Sequence, residues 1–168
     1  MCICLTIMIL GDKSIQCGRK TDAFKFWFML KARGELALEA SVDNCFAQAS
    51  HLRSLVESTP GFEPVLGELV KSGQEDEDVN CTNVGFVYIP ERMRGQERNE
   101  QWQDELSKIP PQVKERLIRK GSLMVGYQPL PHKGLRNFFR MVVHAVPPPT
   151  KEDMQHVINE IEEAGKDL

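Results

Sequence analysis

The chain has 168 residues, 27% of them charged and 41% hydrophobic, which fits a folded globular protein and excludes an intrinsically disordered one. Net charge is −3, so there is no general electrostatic pull toward nucleic acid or an anionic membrane, and neither is expected as a partner. The five cysteines, Cys2, Cys4, Cys17, Cys45 and Cys81, are odd in number and irregularly spaced, which suggests neither a disulfide framework nor a zinc site and favours a reduced, cytoplasmic setting.

Met1 to Leu10 is apolar but too short to span a bilayer, and it lacks the basic start and small-residue cleavage site of a signal peptide. Thr21 or Asp22 is placed to cap a helix in which Phe24, Trp27, Phe28 and Leu30 recur at helical spacing up to Gly34, so Trp27 and Phe28 are expected in the core. A longer helix is predicted from Glu35 to Ser58, with Leu38, Val42, Cys45, Phe46, Ala49, Leu52 and Val56 as its apolar stripe, stopped by Pro60-Gly61. Phe62 to Leu66 reads as a short strand and Gly67 to Asn80 as a polar connection, with Gln74 to Asp78 a solvated charge run. Asn80-Cys81-Thr82 fits the glycosylation acceptor pattern, which matters only in a secreted chain.

Cys81 to Ile89 is rich in β-formers and halts at Pro90, the pattern of a buried strand. Arg92 to Ser107 is polar and at most partly helical, with Arg92, Arg94 and Arg98 read as solvated surface. Pro110-Pro111 opens a helix whose apolar face is Val113, Leu117 and Ile118, ending at Gly121. Ser122 to Tyr127 and Asn137 to His144 are predicted strands of an antiparallel hairpin, and Thr150 caps a last helix with Met154, Val157, Ile158 and Ile161 inside. The expected fold is therefore α+β, a small antiparallel sheet with helices on one face, preceded by a long connecting helix.

Within this order, Arg140 stands in NFFRMVV, a run otherwise dense in apolar residues. A buried guanidinium needs an acidic partner, and its planar fork suits a carboxylate. An internal Asp or Glu, an edge-strand position with the charge reaching water, and a bound ligand all satisfy that need.

Four strings in order, GDKSIQCGRKTDAFKFW (11–27), CTNVGFVYIP (81–90), GSLMVGYQP (121–129) and NFFRMVV (137–143), together with the closing EIEEAGKDL, resemble the carboxy-terminal part of the pyridoxal-phosphate-dependent acidic amino-acid decarboxylases. That family acts on glutamate, cysteine sulfinate or aspartate. The resemblance runs from about Gly11 to Leu168, and Met1 to Leu10 departs from it. It implies the small domain of a fold-type I homodimer, with 1–20 as a remnant of the large cofactor domain and interface, 21–59 as connecting helices and 60–168 as the small domain.

Residue by residue, the resemblance implies that Arg140 binds the substrate α-carboxylate and that Gln16, Cys17 and Gly18 approach the cofactor or the dimer interface. Tyr127 and Gln128, which lead into the loop, either help shape the pocket or simply end their strand. In the family a lysine of a His-Lys pair upstream of the GDKS-like string holds the cofactor, and no catalytic or metal-binding residue is expected within this chain. Pro131-His132-Lys133 imitates that pair but falls in a hairpin loop, without the buried setting that an activated lysine requires, so Lys133 is read as solvated. The implied function is a portion of a decarboxylase, inactive alone; the alternative is a noncatalytic small-domain protein that associates with a full-length relative.

Overall fold

A computed structural model of the chain describes residues 21–65, 82–144 and 147–168. The chain divides between Ala40 and Ser41 into two compact units. In the first unit, helix α1 (Asp22–Arg33) buries no residue. Trp27 and Phe28, expected in the core, are 51% and 60% exposed, and Phe24 stacks on both rings at 5.8 and 6.3 Å. Helical spacing produced a coherent aromatic stripe, but its rings stack on one another while staying exposed. Thr21 makes no side-chain capping bond; its left-handed backbone (φ 72°) starts the helix instead.

Helix α2 (Glu35–Ser58) carries the chain into the second unit. Its buried side is Cys45, Gln48, Ala49, Leu52 and Val56, a stripe at helical spacing. Val42 and Phe46, expected in that stripe, are exposed, and no described residue before Cys45 is buried. The turn at Pro60-Gly61 leads into β1 (Phe62–Pro64), which pairs antiparallel with β2 (Asn83–Tyr88). A 3-10 turn (Glu91–Met93) and the short helix α3 (Glu100–Leu106) follow. This polar stretch is better ordered than its composition suggests: Asn99 caps α3, and the buried Trp102 donates its Nε1–H to the Met93 carbonyl at 3.1 Å. Arg98, read as plain surface, pairs with Glu63 and lies over the Trp102 ring at 5.3 Å.

Helix α4 (Ile109–Lys120) has prolines in its first turn and ends on left-handed Gly121. Its buried face is Ile109, Pro110, Val113 and Leu117, whereas Ile118 is 53% exposed, contrary to expectation. Strand β3 (Gly126–Leu130) begins later than predicted and includes Pro129, which an edge strand tolerates because one side of its ladder is open. Pro131–Lys133 forms a 3-10 turn, and β4 (Leu135–Val142) returns antiparallel to both β3 and β2. Helix α5 (Lys151–Gly165) starts in a capping box between Thr150 and Asp153 and buries Met154, Val157, Ile158 and Ile161, as expected.

Among the described residues the sheet is four-stranded, in the order β1-β2-β4-β3, with β1 and β3 at its edges and a proline in each. Residues of α2, α4 and α5 share one core with Val84, Phe86, Tyr88 and Phe139 from the sheet. The Phe86 ring is fully buried and meets Phe62 at 5.9 Å and Phe139 at 5.6 Å. Gly165 closes this core at the end of α5: a Cβ there would come within 2.3 Å of the Tyr88 ring, so only glycine lets the helix end lie on the tyrosine. Asn44 Nδ2 donates to the Pro149 carbonyl at 3.0 Å, tying α2 to the segment before α5. The expected α+β architecture is what the structure has. Cys2, Cys4, Cys17, Cys81, Gly67 to Asn80 and Met1 to Leu10 lie outside the described residues.

Candidate functional site

Strand alternation decides where Arg140 points. Phe139 is in the core and Met141 packs against it, so Phe138, Arg140 and Val142 project from the opposite face, where Phe138 is itself buried. Arg140 is exposed there. Of its apolar neighbours in sequence, Phe139 and Met141 lie on the other face, and because Arg140 is exposed the cost of a buried charge does not arise.

The strand carrying it is interior to the sheet, which removes the edge-strand explanation. Across the ladders Arg140 lies opposite Gly85 of β2 and Gly126 of β3. Among the described residues it makes no ion pair or hydrogen bond. Arg136, four residues earlier on the strand, differs: it is paired with Asp104 and with Glu100 at 3.7 Å. Arg140 is thus an exposed charge with no acidic partner among the described residues, and its fork is available to an anion.

The other residues singled out in the sequence separate. Gln128 lies opposite Phe138, on the face of Arg140. Tyr127 lies opposite Phe139 on the helix side, where Lys114 Nζ sits 5.3 Å from its ring centre. It packs against α4 rather than bordering Arg140. Gln16, Cys17 and Gly18 lie outside the described residues, as does the Lys133 side chain, while His132 is exposed in the hairpin turn. The glycines flanking Arg140 escape sequence reading because the register that aligns them spans segments far apart in the chain.

An open cavity of about 460 Å³ lies at the far end of the hairpin, between Asp104, Ser107, Pro129 and Arg136. Its polar groups are already engaged internally, Arg136 with Asp104 and Asn137 Nδ2 with the Ser107 carbonyl at 2.9 Å. Among the described residues no group of three or more His, Cys, Asp and Glu is placed to hold a metal, and no helix is long and apolar enough to cross a membrane.

The sequence of elements and the strings that build them place the chain among the cofactor-dependent decarboxylases: residues 6–89 match the pyridoxal-dependent decarboxylase conserved domain, and the chain belongs to that family. It is 40% identical over 158 residues to human cysteine sulfinic acid decarboxylase, covering 94% of this chain and 29% of that protein. It is equally similar, 40% over 158 residues, to mouse acidic amino acid decarboxylase GADL1, covering 94% and 26% respectively. The crystal structure of mouse CSAD in apo form superposes with a TM-score of 0.74 at 38% identity, over 94% of this chain and 30% of that one. The chain therefore spans less than a third of the length of these relatives.

The family's cofactor is pyridoxal phosphate, which is held through a buried, activated lysine. Every lysine whose side chain is described here is exposed or partly exposed, so the described residues do not fit covalent attachment of the group. What they offer is the Arg140 guanidinium.

Proposed function

We propose that this chain is the carboxy-terminal portion of a decarboxylase that converts an acidic amino acid (cysteine sulfinate, aspartate or glutamate) to the amine and carbon dioxide, with Arg140 gripping the substrate carboxylate. The observation that carries this reading is an exposed guanidinium on an interior strand, with no acidic partner among the described residues, in a chain 40% identical to acidic amino-acid decarboxylases. Pyridoxal phosphate supplies the electron sink in such enzymes. The role of the arginine is orientation: two parallel hydrogen bonds to the carboxylate fix the direction of the bond that breaks. In this reading Gln16, Cys17 and Gly18 border the cofactor or the dimer interface, 60–168 is the small domain, the working assembly is a cytoplasmic homodimer, and the chain alone is inactive.

The test places residues 11–168 in human cysteine sulfinic acid decarboxylase in exchange for its matching stretch and follows carbon dioxide release. Arg140→Lys keeps the charge but loses the two-pronged grip, and is expected to lower kcat/KM by about 100-fold, roughly 3 kcal/mol. Unchanged kcat/KM in that variant overturns the assignment of Arg140. For the isolated chain, borohydride reduction in the presence of pyridoxal phosphate is expected to leave no lysine stoichiometrically labelled; such labelling together with decarboxylation would refute its inactivity.

A further inference from the structure

On the sheet face that carries Arg140, the row through it reads glycine, arginine, glycine: Gly85 on β2, Arg140 on β4, Gly126 on β3. Glycine inside a strand weakens it and contributes no packing, and it commonly marks a place where a ligand or another backbone comes close. Backbone conformation does not call for either residue, since the glycines with left-handed backbones are Gly34, Gly61, Gly95, Gly121 and Gly134. Crowding does not call for Gly126 either. A Cβ there would meet only the Arg140 carbonyl oxygen, at 3.4 Å, an ordinary contact. The gap is also local, because the next rows along the strands regain full side chains in the pairs Phe138 with Gln128 and Val142 with Asn83.

We propose that Gly85 and Gly126 are positioning residues that hold open a slot beside the Arg140 guanidinium, in which the carboxylate end of an acidic amino acid lies flat against the strand backbones. This rests on the reading of Arg140 given above. A carboxylate gripped by both prongs must share the plane of the guanidinium. A Cβ on a directly opposite strand residue stands only about 5 Å from that of Arg140 and rises into the same space. Two glycines put no side chain on either flank of the arginine, so the fork and the ligand can settle together on the sheet.

The experiment uses the whole 168-residue chain, labelled with nitrogen-15, and glutarate as the probe. The Arg140 Nε–H resonance is followed during titration in the wild type, Gly126→Ala and Gly85→Ala, and the backbone amides around position 140 in these and in Arg140→Gln, with thermal melting as the check of folding. The wild type is expected to show a saturable shift, and each glycine variant to bind glutarate about tenfold more weakly at an unchanged melting temperature. In Arg140→Gln the saturable response is expected to vanish from the neighbouring backbone amides. Wild-type affinity in both glycine variants, with the response lost in Arg140→Gln, overturns the slot while sparing the role of the arginine; this is also the result expected if another protein segment fills the gap. Should Gly126→Ala fail to fold, Gly85→Ala decides alone. No saturable response in the wild type, or one that survives in Arg140→Gln, removes both.

Discussion

Arg140 illustrates what residue types reveal and what they conceal. The sequence shows a guanidinium among Phe138, Phe139, Met141 and Val142, which suggests a charge embedded in a core. In the sheet, side chains alternate between faces, and the apolar run splits into a core half and a half on the Arg140 face. The residue's identity was legible; its surroundings depend on Gly85 and Gly126, which no local pattern connects to it. Thr150 is the opposite case, because its partner is three residues away and the spacing is itself the signal. Its hydroxyl accepts from the Asp153 amide at 3.2 Å, while Asp153 accepts from the Thr150 amide at 2.9 Å. Thr150→Ala is expected to cost about 1 kcal/mol in chemical denaturation, and Thr150→Ser much less.

At the scale of elements, the segments read best are those whose buried stripe is continuous. Helix α5 buries Met154, Val157, Ile158 and Ile161, the residues its periodicity selects. Helix α2 shows the limit, since its predicted stripe continues through Val42, but burial begins at Cys45. Periodicity reports which side of a helix is apolar and not how much of its length is covered. Strand β3 was displaced because Pro129 reads as a terminator, and only its edge position makes proline acceptable. The central pairing of β2 with β4 depends most on Phe86, whose ring lies between Phe62 and Phe139. Phe86→Ala is expected to destabilise the fold by roughly 3–5 kcal/mol, a large fraction of a typical domain's stability, and to show as loss of the cooperative melting transition or a markedly lower midpoint.

At the scale of the whole molecule, the charged groups define a pH window. The Arg116 guanidinium holds the Asp167 carboxyl below its ordinary range, and the Thr150 backbone amide, helped by its hydroxyl, does the same for Asp153. Carboxyls depressed in the folded state contribute stability that is present above the ordinary carboxylate range and lost as pH falls through their folded values. Tyr88 titrates at the other end. Burial pushes its hydroxyl up, against the opposing influence of Arg94, and the hydroxyl donates to the Glu162 carbonyl at 3.5 Å. A raised folded value means that its contribution is complete below about pH 10 and is lost as pH rises through that value. Lys120, raised by Glu163 and then by Glu160, acts in the same direction. Denaturation midpoints measured from pH 3 to pH 11 are thus expected to fall at both ends, and Tyr88→Phe to flatten the alkaline limb while leaving the acidic limb in place. An alkaline limb unaltered in Tyr88→Phe would assign that loss to Lys120 and other groups.

The prolines at Pro64 and Pro129 sit in the two outermost strands, and both strands are short. A strand lacking a donor cannot template a full ladder, so the sheet is closed to sideways growth on either flank. The two described edges therefore offer no ready route to fibres by strand addition, and a dye that reports cross-β order should stay silent under conditions where the sheet remains folded.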